Sequence, residues 1–451
     1  MNSSSRHIGK RSGTVYALAW LLILMQAGSG VGTFAATTAT IEAGDEARQV
    51  STETRDGRLA VFDDVWRTIH ERYYDPAMHG VDWEALRAAL RPRAGDARGQ
   101  EELYAVLRRM IKHLRDPHTR VNAPDERSEW HRPRFLTIGV RVREVDGEVV
   151  VTEVERGAEA ERAGVRAGDA VASIDGEAVS IVLARRMEEG AIASSAASMT
   201  ARLFATAKLF DGPRDSFVAV IFKGADGHLK QVRLRRVLRS RTPFLNVRRV
   251  GNYGVVEFSV FTPEIAAEFA RGLKGPLKNV RGIVLDLRDN GGGEAEAMID
   301  IASFFLPPGK RMGSFTDRAG RVHLEPQTRA AMLSAADAIN VFRGSVVVLS
   351  GTRTASAAEV FVAALRENNR ATVFGENTCG CVLGIRRRHT LPDGGLLEIS
   401  EVDYRTASGT RLEGVGITPD EQITPTRRDL RAGHDRALER ALEFLKASGK
   451  K

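Results

Sequence analysis

Ser356 stands at a junction that could carry nucleophilic chemistry. It follows the nearly unbroken apolar run Ser345-Val346-Val347-Val348-Leu349-Ser350 and the short turn Gly351-Thr352-Arg353-Thr354-Ala355, and it precedes the helix-forming Ala357-Ala358-Glu359. The apolar run reads as a buried strand. A serine between such a strand and a helix is exposed, and the free N–H groups and positive dipole of the helix start can stabilise negative charge beside it. The same position also suits a plain N-cap serine. A second junction bears on that choice. Gly282-Ile283-Val284-Leu285-Asp286-Leu287-Arg288-Asp289-Asn290-Gly291-Gly292-Gly293 is another buried strand ending in a glycine turn. Consecutive glycines let backbone N–H groups approach a substrate carbonyl, as an oxyanion hole requires. A phosphate-binding loop is the competing reading. It is opposed by the missing Lys-Ser/Thr of a P-loop and by a glycine spacing that does not fit a dinucleotide fingerprint. Asp286, Arg288 and Asn290 are read as braces for the glycine turn, and Glu359 as structural.

Elements of both kinds must hold these turns. From Tyr253 to about Thr424 strands (Gly254–Phe261, Gly282–Leu287, Ser345–Ser350) alternate with helices (Pro263–Leu273, Glu294–Phe304, Ala357–Arg366), which argues βαβ units around a largely parallel sheet. From Arg134 to about Ser240 the texture is short β runs, with Thr137–Val142 and Glu148–Thr152 flanking an Asp146-Gly147 hairpin turn. There follow an Ala-rich helix closed by glycine (Gly157–Asp169), the strand Ala170–Ile174 and the turn Asp175-Gly176, a pattern that closely resembles a PDZ domain. Residues Ile181–Phe210 exceed what a minimal PDZ needs and read as a helical insertion before the strands Ser216–Phe222 and Gln231–Leu234. From Leu59 to Arg115 the periodicity is helical: Val61, Val65, Ile69 and Tyr73 recur every four residues, and Leu103, Leu107, Ile111 and Leu114 every three or four. Asp82-Trp83-Glu84 opens a helix by the cap-then-acid signal. Pro117, in Asp116-Pro117-His118-Thr119, ends the last one.

The expected division is a signal peptide at 1–36, a linker at 37–56, a helical domain at 57–125, a PDZ domain at 134–240, a core at 241–425 and a C-terminal helix at 426–451, amphipathic from about Asp429 to Leu445. The fold class is multidomain α/β, with an N-terminal helical domain, a β-rich PDZ domain and a parallel-sheet α/β core.

The glycine turn, Thr354-Ala355-Ser356-Ala357-Ala358-Glu359, Gly414-Val415-Gly416-Ile417-Thr418-Pro419-Asp420, the PDZ and the Asp-Pro-His-Thr segment occur in the order found in the C-terminal processing (tail-specific) peptidases, and the chain resembles them over nearly all of residues 59–425. The resemblance implies a crotonase-like ββα peptidase core and Ser356 as nucleophile. It places the oxyanion donors at the N–H groups of Gly292 and Ala357, the choice among Gly291–Gly293 staying open. It also implies a PDZ whose carboxylate-binding loop, Phe135-Leu136-Thr137-Ile138-Gly139-Val140, holds a substrate tail by main-chain N–H groups; gating without tail binding is the other PDZ reading. One departure matters. Most bacterial members carry a lysine base in a Thr-x-Gly-Lys segment, and here that segment is Thr378-Cys379-Gly380-Cys381. A thiol is a far weaker base, and its thiolate needs a cationic or metal neighbour. A branch like the tricorn core protease instead uses a histidine ahead of the PDZ and a glutamate before the Gly-x-Gly-x-x-Pro-Asp stretch. His118 and Glu413 stand at those places, so the resemblance implies a Ser356/His118/Glu413 relay, with imidazole taking the serine proton and carboxylate orienting it. The branch has a hydroxyl residue before its histidine; with Pro117 here, a supporting hydroxyl must come from elsewhere. Asp-Pro-His occurs in Ser/Lys members too, where the histidine is not the base; with the general-base lysine missing, an inactive PDZ-containing scaffold or adaptor is the alternative, and Cys381 as base a further one.

Bulk properties are those of a globular protein with an export signal. The 451 residues suggest two or three domains. Net charge is +8, but Arg6, Lys10 and Arg11 precede an apolar run from Val15 to Met25 and small residues ending Ala35-Ala36, a signal-peptide pattern. Removing that segment leaves 63 basic residues against 58 acidic ones. The basic residues are scattered, and no motif that reads nucleic acid accompanies them. The apolar run is too short to span a bilayer, so a membrane enters only through an uncleaved signal segment. The expected location is periplasmic or secreted. The expected partners are protein or peptide substrates with free C-termini, with no nucleic acid, metal or cofactor, and a homo-oligomer is compatible with the sequence. Two cysteines, Cys379 and Cys381, make no disulfide framework and would close only a tight ring if joined.

Overall fold

The computed structural model describes residues 50–116, 118–126, 134–189, 202–334 and 337–448. The expected signal segment, most of the expected linker, Pro117 and residues 190–201 of the expected PDZ insertion lie outside the described residues. Among the described residues no helix is long and apolar enough to cross a membrane.

Three helices come first, Arg55–Arg72, Trp83–Gly95 and Gln100–Lys112. Side-chain caps set two of their starts: Thr54 accepts the N–H of Gly57 at 3.1 Å and Asp82 that of Ala85 at 2.9 Å. The first helix thus begins two residues inside the expected linker. Val61, Val65, Ile69 and Tyr73 are fully buried, as the four-residue spacing required, and pack with Leu103, Leu107, Ile111 and Leu114. This layer does not close on itself. Leu391, Leu397 and Ile399 complete its apolar cluster, and the strand Arg120–Asn122 pairs antiparallel with Leu396–Glu398. The helical segment and the C-terminal part of the core therefore share one interior.

The PDZ segment forms an antiparallel sheet in the order Val140–Val145, Glu148–Val154, Ala170–Ile174, Phe217–Lys223 and Leu229–Arg235. Asp146 and Gly147 both take positive φ, +52° and +79°, the backbone of a tight hairpin turn whose twist matches its strands. The strand expected over Thr137–Val142 is instead broken at Ile138 and Gly139. Arg134–Thr137 pairs with Val237–Ser240. Gly139 then turns at φ +82°, with so little room that a Cβ there would lie 2.5 Å from that of Ala158.

The core is a six-stranded sheet in the order Leu245–Val250, Tyr253–Phe258, Gly282–Asp286, Ser345–Ser350, Ala371–Gly375 and Glu421–Gln422. Only the first pair is antiparallel. Alternation along the buried strands sends Val256, Ile283, Leu285, Val346 and Val348 to one face, against helices Pro263–Lys274, Ala295–Ser303 and Ala357–Glu367. Val255, Val284, Val347 and Leu349 point to the other, against Ala437, Ala441 and Leu445. The single C-terminal helix expected is two, Arg427–Ala432 and Arg436–Ser448, separated where Gly433 adopts φ +71°. A second sheet, not expected, gathers Arg120–Asn122, Ser314–Asp317, Val322–Leu324, Gly384–Thr390 and Leu396–Arg405.

Candidate active site

The parallel strands deliver both turns to the same edge of the sheet. Ser356 closes its turn at φ +56° and ψ −126°, a conformation that a non-glycine residue keeps only when its surroundings impose it. Two acceptors hold its N–H: the Cys381 carbonyl at 2.8 Å and the Glu359 carboxylate at 3.2 Å. Glu359, fully buried, also accepts the Thr378 hydroxyl at 2.5 Å and the N–H groups of Gly380 at 2.8 Å and Cys381 at 2.9 Å. Burial pushes its pKa up, and these four donors hold it back. Glu359 thus clamps the serine turn to the Thr378–Cys381 loop.

The glycine turn meets Ser356 directly. Gly292 has φ +101°, and a Cβ there would stand 2.7 Å from that of Ser356 and 3.0 Å from the nitrogen of Ala357. The N–H of Gly292 donates to Asn290 Oδ1 at 2.9 Å. Asn290 is fully buried; its side chain donates to the Phe258 carbonyl at 3.0 Å and its own carbonyl accepts the N–H of Ala355 at 3.1 Å. It braces both turns. The N–H of Ala357, first of its helix, makes no hydrogen bond among the described residues, as expected of a helix start. Gly292 can add a second donor only by giving up Asn290. Arg288 is held by Asp286 and by Asp435 of the C-terminal segment, and Asp289 receives Arg141 and Arg353 at 3.2 Å each. None of these side chains contacts Ser356 by a hydrogen bond.

His118 sits in a turn built by Asp116. One Asp116 oxygen accepts the N–H of His118 at 2.9 Å and the other the Thr119 hydroxyl at 2.5 Å, and Thr119 in turn accepts the N–H of Ser400 in the second sheet at 3.1 Å. The imidazole Nδ1 is buried without a hydrogen bond, and Asp116 Oδ1 lies 3.5 Å away. Burial alone would lower the imidazole pKa; the carboxylates of Asp116 and, more weakly, Glu413 outweigh it, and the net shift is upward. Glu413 accepts the N–H of Val382 at 2.8 Å, and burial pushes its pKa up to about 7 although His118 pulls the other way. His118 and Glu413 are near enough to move each other's titration. Neither is hydrogen-bonded to the other or to Ser356 in this structure.

Two side chains join this group that sequence reasoning passed over. Asp116 was legible only as part of a motif, and its contact with the ring depends on the turn. Tyr73 reads in sequence as a core position of the first helix, and nothing there marks its hydroxyl. In the structure Tyr73 is fully buried and its hydroxyl has no hydrogen-bond partner. Burial, then Asp116, Tyr74 and Glu413, drive its pKa far upward.

Between the PDZ and the core lies a cavity of about 780 Å³, lined by Arg141, Arg143, Leu203, Arg353, Thr378 and Cys379 among others. Part of its PDZ wall is Arg141, Val142, Arg143 and Glu144 of Val140–Val145, an edge strand of its sheet. Arg143 reaches across to Glu376 at 2.5 Å. Of the loop residues Leu136, Thr137, Ile138 and Gly139, the first two are committed to the pairing with Val237–Ser240. The N–H of Gly139 donates to the Thr137 hydroxyl oxygen at 3.0 Å, and Ile138 is buried in the PDZ core.

Comparison with known proteins follows the same order along the chain. Residues 55–112 match the tricorn protease C1 domain, 137–189 the PDZ domain and 252–423 peptidase family S41. The C-terminal processing peptidase of Tetradesmus obliquus, chloroplastic, is 27% identical over 81% of this chain and 77% of its own length. Carboxyl-terminal-processing peptidase 2, chloroplastic, of Arabidopsis thaliana is 29% identical over 80% and 68%. The chain belongs to the PDZ-containing C-terminal processing peptidases. Like other members it is a serine-type peptidase. Among solved structures, the photosystem II D1 C-terminal processing protease superposes with a TM-score of 0.53 at 25% identity, over 84% of this chain and 98% of that one. Mature CPAF complexed with lactacystin gives 0.62 at 13% identity, over 88% and 98%, a likeness of fold. Helical segment, PDZ and α/β peptidase core are thus the family's architecture.

Proposed function

We propose that this peptidase is an extracytoplasmic endopeptidase that cuts proteins or peptides near unstructured C-terminal tails. Ser356 is the nucleophile, His118 the general base and Glu413 the carboxylate completing the relay. The observation that carries the reading is the Ser356 turn: a residue kept at φ +56°, wedged against Gly292, beside the uncommitted N–H of Ala357. Ser356 Oγ attacks the scissile carbonyl and passes its proton to His118, which returns it to the leaving amine; water then hydrolyses the acyl-enzyme by the same path. Ala357 N–H, joined by Gly292 N–H once Asn290 releases it, receives the oxyanion. Closing the relay requires the His118 ring to move to hydrogen-bond distance of Ser356, a tightening common between apo and substrate-bound sites. Asp116 keeps the ring's proton affinity high until then.

The PDZ supplies recognition in this reading. Leu136, Thr137, Ile138 and Gly139 form the carboxylate loop, and the tail adds along the edge strand Val140–Val145 towards the cavity that Arg353 and Cys379 line. The extracytoplasmic location rests on the signal-like N-terminus. The test is cleavage of an unfolded protein with an apolar tail by wild type, His118→Ala and Glu413→Gln. Loss in both variants is expected; full activity of His118→Ala sinks the relay and leaves the base to another group.

A further inference from the structure

The proposed reaction makes no use of the pair that occupies the place of the family's lysine. Cys379 and Cys381 are joined by a disulfide, closing the tight ring that the sequence allows between cysteines two positions apart. They are the only cysteines in the chain. Cys381 is buried, whereas Cys379 is partly exposed at the wall of the PDZ–core cavity.

The peptide groups of this short ring are committed to the site on every side. The N–H of Cys379 donates to the Thr354 carbonyl at 2.9 Å. Those of Gly380 and Cys381 donate to Glu359. The Gly380 carbonyl accepts the N–H of Gly414 at 2.8 Å, and the Cys381 carbonyl accepts that of Ser356 at 2.8 Å. The next amide, Val382, donates to Glu413. Gly380 itself lies against the loop that follows Glu413: at its φ of +69°, a Cβ would come within 2.8 Å of the Gly416 nitrogen and 2.9 Å of that of Val415. One clasp of three residues therefore touches the nucleophile on one side and the loop after Glu413 on the other, and the next amide, that of Val382, binds the relay carboxylate.

We propose that the Cys379–Cys381 disulfide is a positioning device for the peptidase reaction, holding Ser356 and the segment bearing Glu413 in register, so that the reduced enzyme turns over more slowly than the oxidised enzyme. The proposal rests on Ser356 as nucleophile. Opening the ring returns backbone freedom to residues 379–381. The positive φ of Ser356 then loses part of what imposes it. A loop this short removes little entropy from the unfolded chain, so the fold itself should outlast reduction. Reduction by a dithiol such as dithiothreitol balances as follows. A reductant thiolate attacks the sulfur of the partly exposed Cys379, the S–S bond breaks, and the Cys381 thiolate leaves and takes up a proton. The second reductant thiolate attacks the mixed disulfide, releasing Cys379 as a thiol and the reductant as its cyclic disulfide, with two electrons passed to the pair. Oxidised glutathione drives the reverse.

The experiment uses the full chain in both states, verified by alkylation mass as carrying no free thiol or two. It measures kcat and KM on a peptide substrate, the rate of Ser356 labelling by a fluorophosphonate, the thermal midpoint, and hydrogen exchange over residues 378–383. Reduction is expected to lower kcat and labelling by at least about tenfold, because small displacements of a nucleophile are costly. KM should hold, the midpoint should move little, exchange over 378–383 should quicken, and reoxidation should restore the rate. A Cys379→Ala/Cys381→Ala variant should match the reduced wild type and ignore reductant. A fully reduced wild type with unchanged kcat overturns the proposal. So does reduction that unfolds the whole chain, because the bond is then merely structural. If turnover survives Ser356→Ala, the nucleophile reading fails separately, and exchange over 378–383 decides the clasp: no change on reduction overturns it.

Discussion

Replacing Gly292 by alanine should separate catalysis from folding at this site. The added methyl would stand 2.7 Å from Ser356 Cβ and 2.9 Å from the Ala355 carbonyl oxygen. Non-bonded carbons settle at about 3.5–4.0 Å, so Ser356 and Gly292 must part by about 1 Å. A misplacement of that size costs about 100-fold in rate. Alanine at φ +101° adds about 1–3 kcal/mol of backbone strain, a loss that a domain-sized core can absorb. The expected outcome is a folded Gly292→Ala variant with a modestly lower thermal midpoint and kcat reduced about 100-fold, alongside slowed fluorophosphonate labelling of Ser356. The assay is steady-state hydrolysis of a fluorogenic peptide with thermal unfolding on the same sample. A folded variant with wild-type kcat would refute the reasoning, because it would mean that contact between the glycine turn and Ser356 does not set the reacting geometry.

Three further outcomes follow from the same geometry. In Asp116→Asn the carboxylate beside His118 is gone, so the raised imidazole pKa should fall; since the base must be neutral, the acid limb of kcat/KM should move to lower pH, and an unmoved limb would exclude His118 as the titrating base. Glu359→Gln turns an amide NH2 towards two of the four donors it now serves; the Ser356 N–H keeps the Cys381 carbonyl and the Thr378 hydroxyl can rotate, so one buried N–H, of Gly380 or Cys381, loses its acceptor and denaturant stability should fall by about 1–3 kcal/mol. Tyr73→Phe removes a buried hydroxyl that has no partner in this state. Its midpoint should hold or rise, while kcat falls about tenfold, the worth of one hydrogen bond to an ionised group that the hydroxyl makes during reaction; unchanged kcat would remove Tyr73 from the site.

What the chain reveals of itself locally and what it hides divide along one physical line. Ser345–Ser350 and the helix after Ser356 are legible because a buried parallel strand must be apolar throughout and the next helix begins at a small, cap-competent residue. Asp146-Gly147 is legible because few residue pairs take two positive φ values. The second sheet was not, because Leu396–Arg405 finds partners as distant as Arg120–Asn122 and its neighbour Gly384–Thr390 is an arginine-bearing edge without a clean alternation. The same holds within the site. Ser356, His118 and Glu413 follow from motif order, whereas the four-donor clamp of Glu359, the Asp116 turn and the Tyr73 hydroxyl arise only when separate segments meet. The strand break at Ile138–Gly139 belongs to this second group, since Gly139 is pinned by Ala158 rather than by its neighbours in sequence.

The most direct measurement is the fate of Ser356 itself. Wild type and Ser356→Ala are incubated with an unfolded protein substrate, and a parallel sample is treated with a fluorophosphonate and mapped by peptide mass. A single adduct on Ser356 in the wild type, with cleavage abolished in Ser356→Ala, is the predicted result. Undiminished cleavage by Ser356→Ala, or an adduct on another residue, would contradict it.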